Sequence, residues 1–411
     1  MSLPLIRPFA GLRPTPELAA VVAAPPYDVL DSVEARQLAE GKPWSFLHIS
    51  KPEIDLPPEI SAYAPEVYAK AAENFTRMIQ HGALQRDSAP CYYVYRLSMG
   101  AHVQTGLVAA GSVAAYNANR IRRHEFTRPD KEDDRVRQIN AVNAQTGPVL
   151  LAHPDHPEVA AVLEATVATP PAYSFIAHDG IGHALWVISD SDAQQRITKA
   201  FEAMPAIYIA DGHHRSAAAS RVAAARDATP ENAPHHSFLV VSFPISEMKI
   251  LDYNRVVRDL NNMDQETFLS KLEKDFIVTP CSEQAKPSEA RTFGLYLPGQ
   301  WFRLRVRQAL PPIDQPVARL DVSLLSDRLL GPILGIGDLR KDKRIDFVGG
   351  KRGLDALEQR VNSGEMAAAF ALYPTQMSDL VAVADAGNVM PPKSTWFEPK
   401  LADGLVSNPL W

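Results

Sequence analysis

The chain has 411 residues, 46% hydrophobic and 22% charged, which allows two or three domains and excludes global disorder. No apolar run approaches the ~18 residues of a membrane span, and the start, Met1 to Pro8, reads as lacking a signal-peptide core. Two cysteines, Cys91 and Cys281, make no disulfide framework, so a reducing cytoplasm is the expected location, and a net charge of −6 argues against sequence-independent nucleic-acid binding.

In chain order, the first ~60 residues read as loop-rich with one short helix over 32–40. Residues 64–80 are predicted helical, because Val67, Ala71, Phe75 and Met78 fall at three- and four-residue spacings and Gly82 stops the run. Runs 91–97 and 103–116 read as a hairpin, and 131–145 as a helix with Val136, Ile139 and Val142 inward. A strand 149–152, a helix 156–168, a hairpin 173–177/183–189 and a helix 192–203 follow. Ala206 to Ala210 is a short buried strand running into Asp211-Gly212-His213-His214-Arg215, after which 216–225 continues as an alanine-rich helix. A strand is expected at 237–245. Beyond Asn261 come helix 265–275, hairpin 292–297/301–307, helix 322–330, strand 344–348, helix 354–362, strand 368–373 and helix 375–384, then an irregular tail from Met390.

Helices and hairpins mix without strict βαβ alternation, so the expected class is α+β. The reading divides the chain into a loop-rich and helical segment 1–90, a central core 91–260, and a C-terminal α+β domain 261–411 with mixed helices and strands and an extended tail. The 34 prolines sit in short clusters such as Pro25-Pro26 and Pro391-Pro392, which mark rigid loops.

Several familiar sites are excluded by spelling. His124-Glu125 lacks the second histidine of a zinc-protease helix, and there is no Cys-x-x-Cys pair and no G-x-S-x-G elbow. Gly349-Gly350-Lys351-Arg352 is not a Walker loop, because no Ser or Thr follows the lysine.

The strongest local signal is Asp211 to Arg215. A strand ending in glycine at a helix start exposes unpaired N–H groups and the positive end of the helix dipole. Gly212 allows close backbone approach, His213 and His214 add donors, and Arg215 has the fork geometry for phosphate oxygens. The bland alternative is a helix capped by Asp211. The second signal runs from Ile121 through Arg122, Arg123, His124, Glu125 and Arg128 to Lys131 and Arg135. It reads either as a general base, Glu125, in a basic surround suited to phosphate or carboxylate, or as a solvated charge run. Gly349–Gly353 is a candidate anion nest. Met390–Lys400 is unusually dense in aromatic and reactive residues, and Ala24–Val29 is similar in character with no role assignable from physics.

Arg7-Pro8-Phe9, Ala24-Pro25-Pro26-Tyr27-Asp28-Val29, His124-Glu125, Asp211-Gly212-His213-His214-Arg215, Asp346-Phe347-Val348-Gly349-Gly350 and Pro391-Pro392-Lys393-Ser394-Thr395-Trp396-Phe397 together resemble a widespread prokaryotic family of uncharacterised proteins. More distantly, the His-Glu and Gly-His-His-Arg strings resemble the ParB/sulfiredoxin-like superfamily and, within it, the free serine kinases. That resemblance implies a nucleotide-binding core with inserted hairpins and helices. It implies ATP or ADP as phosphoryl donor with Mg2+, and a small hydroxyl-bearing acceptor such as free L-serine. Glu125 would be the base beside His124, and Asp211, Gly212, His213, His214 and Arg215 the phosphate cradle. Asp211 would also enter a magnesium shell, and Arg122, Arg123, Arg128, Lys131 and Arg135 would anchor substrate or phosphate. The spacing departs from the family pattern, since Asp211 lies 86 positions after Glu125. Two alternatives stay open: a nucleotide-binding regulatory or DNA-associated module, and a phosphohydrolase in which His124, Glu125, Asp211, His213 and His214 converge on a metal. Homo-oligomerisation is open as well.

Overall fold

The strand and helix signals of the first 250 residues condense around one mixed sheet. The computed structural model describes residues 4–226, 230, 232–307, 311–312 and 314–411. It divides into two units, Met1–Met248 with Pro399–Trp411, and Lys249–Glu398.

The main sheet of the first unit has nine strands: β1 (Ile6–Arg7), β2 (Tyr92–Met99), β3 (His102–Ser112), β4 (Ile121–Arg122), β5 (Val149–His153), β6 (Tyr173–Ile176), β7 (Gly182–Ile188), β8 (Ile207–Asp211) and β9 (Ser237–Pro244). Their order is β4-β8-β5-β9-β3-β2-β7-β6, with β1 alongside β3. Pairs β4–β8 and β5–β9 are parallel and the others antiparallel. The helices that bear on the argument are α1 (Ser32–Ala39), α2 (Pro65–Gln80), α3 (Pro129–Val142), α4 (Pro157–Val167), α5 (Ser191–Glu202) and α6 (His213–Ala225).

Both faces of the sheet are covered, which is why its strands read as continuous apolar runs rather than alternating ones. One face, carrying Tyr92, Val94, Leu107, Leu151, Ile209 and Val240, packs against Val162 of α4, Phe201 of α5 and Ala219 of α6. On the other face the Tyr93 hydroxyl accepts from Gly11 N–H at 2.8 Å, and the Tyr173 hydroxyl donates to the Leu405 carbonyl at 2.6 Å. A second cluster joins Ala35 and Ala39 of α1 to Phe75 and Met78 of α2.

Local chemistry sets the element ends. A full capping box, Asp31 with Glu34, opens α1. The helix expected over 131–145 stops at Val142, because Asn143 turns left-handed at φ 50°. Ala144–Gln145 then pair with Asn408–Pro409. The tail is therefore not loose. Ala24 bridges Asp403, Leu12 bridges Ser407, and residues 401–410 are buried throughout. It resisted a sequence reading because its partners are far away and its strands only two residues long.

In the second unit a six-stranded antiparallel sheet is built from β10 (Tyr253–Val257), β11 (Phe276–Cys281), β12 (Thr292–Leu297), β13 (Gln300–Val306), β14 (Ile345–Gly349) and β15 (Ala368–Leu372), in the order β11-β13-β12-β15-β10-β14. Strands β10 and β11 were not expected. Pro280 disguises β11 and is tolerated because that strand is at the edge. Helices α7 (Gln265–Leu272), α8 (Asp355–Asn362) and α9 (Met377–Asp385) complete it, with Leu357 and Val361 of α8 packed on Val256 and Ala369. The helix expected over 322–330 is α-helical only over Asp321–Leu325 and widens to a π turn over Ser326–Leu330. No helix among the described residues is long and apolar enough to cross a membrane.

Candidate functional site

Parallel pairing closes the 86-residue gap between the two motifs. Ile121 lies opposite Ile207 and Arg122 opposite Tyr208, so the chain leaves β4 and β8 in the same direction. The His-Glu loop and the Asp-Gly-His-His-Arg turn therefore emerge side by side, each leading to a helix. Helices α3 and α6 pack through Ile139, Ala218 and Val222 and fix the two loops against each other.

Gly212 is the N-cap of α6, at φ 103°, a left-handed value that suits glycine, and no side chain caps the helix. The bland alternative of a helix capped by Asp211 is thus not what forms. The buried His213 ring lies edge-on to His124, with centroids 4.5 Å apart. Its Nε2 accepts a long hydrogen bond from the His124 N–H at 3.4 Å, which leaves the ring proton on Nδ1, 3.6 Å from Glu125 Oε2. Nε2 of His214 accepts from the Arg128 N–H at 3.1 Å. Burial pushes His124 down to about 4 and lowers His213 and His214 as well, so all three are neutral at pH 7.

Asp211 sits between two cations. Lys400 Nζ donates to Oδ2 at 3.1 Å, and Arg215 Nη2 lies 3.9 Å from Oδ1. Burial alone would raise this carboxyl, but Lys400 and Arg215 outweigh it and hold it well below the usual carboxylate range. Arg215 is itself turned inward, donating to the Pro148 carbonyl. With Arg135, Tyr27, Gln145 and Asp403 it lines a cavity of about 30 Å³, room for about two waters. Asp403 is 2% exposed, and its Oδ1 has no hydrogen-bond partner among the described residues. Burial pushes this carboxyl up to about 7, with Arg215 opposing.

Arg123, Arg128, Lys131 and Arg135 each engage a different partner. Arg122 is half-buried on β4. Arg123 lies 5.2 Å from the Tyr116 ring, Arg128 pairs with Asp130 at 2.8 Å, and Lys131 donates to the Tyr63 hydroxyl at 2.6 Å. Arg135 spends two N–H groups on Asp134 and stacks 3.8 Å over Tyr27. Sequence reasoning missed Lys400 and Asp403 as members of the site. The density of aromatic and reactive residues over Met390–Lys400 was the one signal nearby, and nothing in its spelling named a partner.

The donor set does not fit a metal. Among the described residues no group of three or more His, Cys, Asp or Glu side chains is arranged to hold an ion. Asp211 faces Lys400 and Arg215 with its two oxygens, and two histidine nitrogens are spent on backbone amides.

The family model described as "Protein of unknown function (DUF1015)" matches residues 6–323. No curated protein matches the chain. Among solved structures, a free serine kinase in complex with AMP is 13% identical, covering 73% of this chain and 92% of that one at a TM-score of 0.33. A conserved hypothetical protein from Pyrococcus furiosus is 13% identical, covering 72% and 93% at 0.32. SbnI with a C-terminal truncation, from Staphylococcus aureus, is 10% identical, covering 72% and 85% at 0.37. Likeness at this level carries no inference of activity.

Proposed function

The chain belongs to the DUF1015 family of proteins of unknown function, so its activity has to be read from its own site, and we propose a phosphotransferase that moves a phosphoryl group from a nucleotide to a small hydroxyl acceptor. The observation that carries this reading is the convergence of Glu125 with the uncapped, glycine-led N-terminus of α6 across the parallel β4–β8 pair. One element supplies a base, the other a place for phosphate oxygens.

Glu125 takes the proton of the acceptor hydroxyl as its oxygen bonds to phosphorus. The bond from phosphorus to the bridging oxygen breaks, and the nucleotide leaves with the electron pair. Developing charge is met by the N–H groups at the head of α6 and by the Lys400 ammonium. His213, neutral with its proton on Nδ1, faces the Glu125 carboxylate and orients it. Arg122, Arg123, Arg128 and Lys131 contribute positive potential around the loop. Magnesium has no step here, because the carboxylate that would hold it is taken by Lys400 and Arg215. The motif resemblance to ParB/sulfiredoxin-like serine kinases supports the same roles and makes free L-serine the first acceptor to try.

Calorimetric titration with ATP, ADP and CTP, followed by a transfer assay on L-serine, tests this. Glu125→Gln is expected to keep nucleotide affinity and lose about 10²–10⁴ in turnover. Normal turnover by that variant, or no binding of any nucleotide, overturns the reading.

A further inference from the structure

Two motifs unused by that site meet in the second unit. Gly349 lets β14 run under Trp396, since a Cβ there would lie 2.8 Å from the indole ring. The Tyr253 and Trp396 rings stand edge to face at 5.1 Å, and Phe347 lies 6.2 Å from Tyr253. This half-exposed aromatic floor is flanked by two cations. Lys393 Nζ lies 5.6 Å over the Tyr253 ring, and the Arg255 guanidinium 5.3 Å from Phe347.

Neither cation has a carboxylate within ion-pairing distance among the described residues. Arg255 is 0% exposed, and its Nε has no hydrogen-bond partner. Its remaining donors reach the Tyr253 and Lys393 carbonyls, the latter at 3.0 Å. A buried guanidinium without a counterion is costly and calls for an anion.

The backbone adds an independent sign. Lys393 sits at φ 59°, in the left-handed region where a turn ordinarily takes Gly or Asn. Three hydrogen bonds hold it there: Arg255 to its carbonyl, Ser394 Oγ to the Pro391 carbonyl at 2.7 Å, and Thr375 Oγ1 to the Ser394 carbonyl at 2.8 Å. The side chain so displayed is exposed. Strain held in place by surrounding bonds, around an outward-facing charge, marks a functional position. Gly350, whose N–H donates to the Asp252 carbonyl at 2.7 Å, leads into the exposed Lys351 and Arg352.

We propose that this face of the second unit binds a phosphate-bearing anion, with Lys393 as the contact residue, Lys351 and Arg352 at the rim, and Arg255 holding the loop and adding uncompensated positive charge from beneath. The site is separate from the proposed transfer chemistry and does not depend on it.

Lys393→Gly separates function from folding, because glycine adopts the left-handed turn without strain while the ammonium is lost. The full chain is titrated calorimetrically at low salt with pyrophosphate. The variant is expected to melt at or above the wild-type Tm, yet to bind pyrophosphate about tenfold more weakly. Lys274→Ala, which removes an exposed lysine elsewhere in the second unit, is the control. Three results overturn the proposal: no pyrophosphate binding by wild type, unchanged affinity in Lys393→Gly, or a lowered Tm in that variant. An equal loss of affinity in Lys274→Ala also overturns it, by showing attraction to net charge alone.

Discussion

Asp403 should make the protein less stable as pH rises from about 4 to 7, and Asp403→Asn should remove that dependence. The carboxyl is 2% exposed, lacks a partner at Oδ1, and is faced by Arg215, Asp28 and Arg135. Burial moves it from the ordinary 3.8 up to about 7. A folded-state value above the unfolded one means that folding favours the protonated form. Its contribution is therefore fully present below about pH 4 and is lost as pH rises from there to 7, above which both states are ionised. The full difference approaches about 4 kcal/mol at high pH, of which about 2.5 kcal/mol falls between pH 4.5 and 6.5. For a unit of this size that corresponds to about 5–10 °C in Tm. The assay is a thermal melt of wild type and Asp403→Asn at pH 4.5, 5.5 and 6.5. The buried histidines are the same in both proteins and cancel in the difference between the two curves, which isolates Asp403. Parallel curves would refute the reasoning, since they would mean the carboxyl is already charged at pH 4.5 and solvated by the small cavity beside it.

For the buried histidines the sign reverses. Burial lowers His153 to about 3 and His183 to about 4, so each contributes stability above pH 6.5 that is lost as pH falls, about 2–3 kcal/mol apiece by pH 4.5. Proton NMR should show both imidazoles still neutral at pH 5, and a resonance titrating near 6.5 for either would contradict this. Gly294→Ala should cost about 2 kcal/mol or more in urea unfolding, because its Cβ would overlap the Ala285 carbonyl oxygen, a backbone atom that cannot rotate away. A neutral effect would show that β12 can shift against that loop.

Much of the element order was legible because it is local. The 3.6-residue spacing of Val67, Ala71, Phe75 and Met78 places α2, and the Gly212 break places the head of α6. Pairing was legible only where it is local, in the hairpins β2–β3, β6–β7 and β12–β13, and not between distant segments. Nothing near Ile121 announces that two residues form the edge strand that carries the His-Glu loop to α6, because a two-residue strand has no period. The basic run 122–135 looks like one cluster in the sequence, but it is spread over β4, a loop and α3, and Arg123, Arg128, Lys131 and Arg135 each meet a different partner. Lys400 and Asp403 were invisible for a different reason. Their roles arise from contacts with Asp211 and Arg215, almost two hundred positions earlier, and no short-range pattern encodes such a pairing.

The charge arrangement around Asp211 works against the magnesium role that the kinase resemblance implied for it. An aspartate before a glycine turn looks like a metal ligand until its neighbours are counted. Here a lysine from the returning tail and an arginine one helical turn on already neutralise it. The histidines beside it are kept neutral by burial. An arriving phosphate would therefore meet the α6 amides and a lysine whose present partner is a carboxylate. Binding becomes an exchange of one ion pair for another rather than the capture of a bare cation. Exchange of that kind gives modest net affinity, because the new pair must first offset the old one. It gives strong geometric selection instead, since only an anion that reaches both the amides and Lys400 recovers what Asp211 gives up. The tail that carries Lys400 is thus as much a part of the site as the two motifs that first drew attention to it.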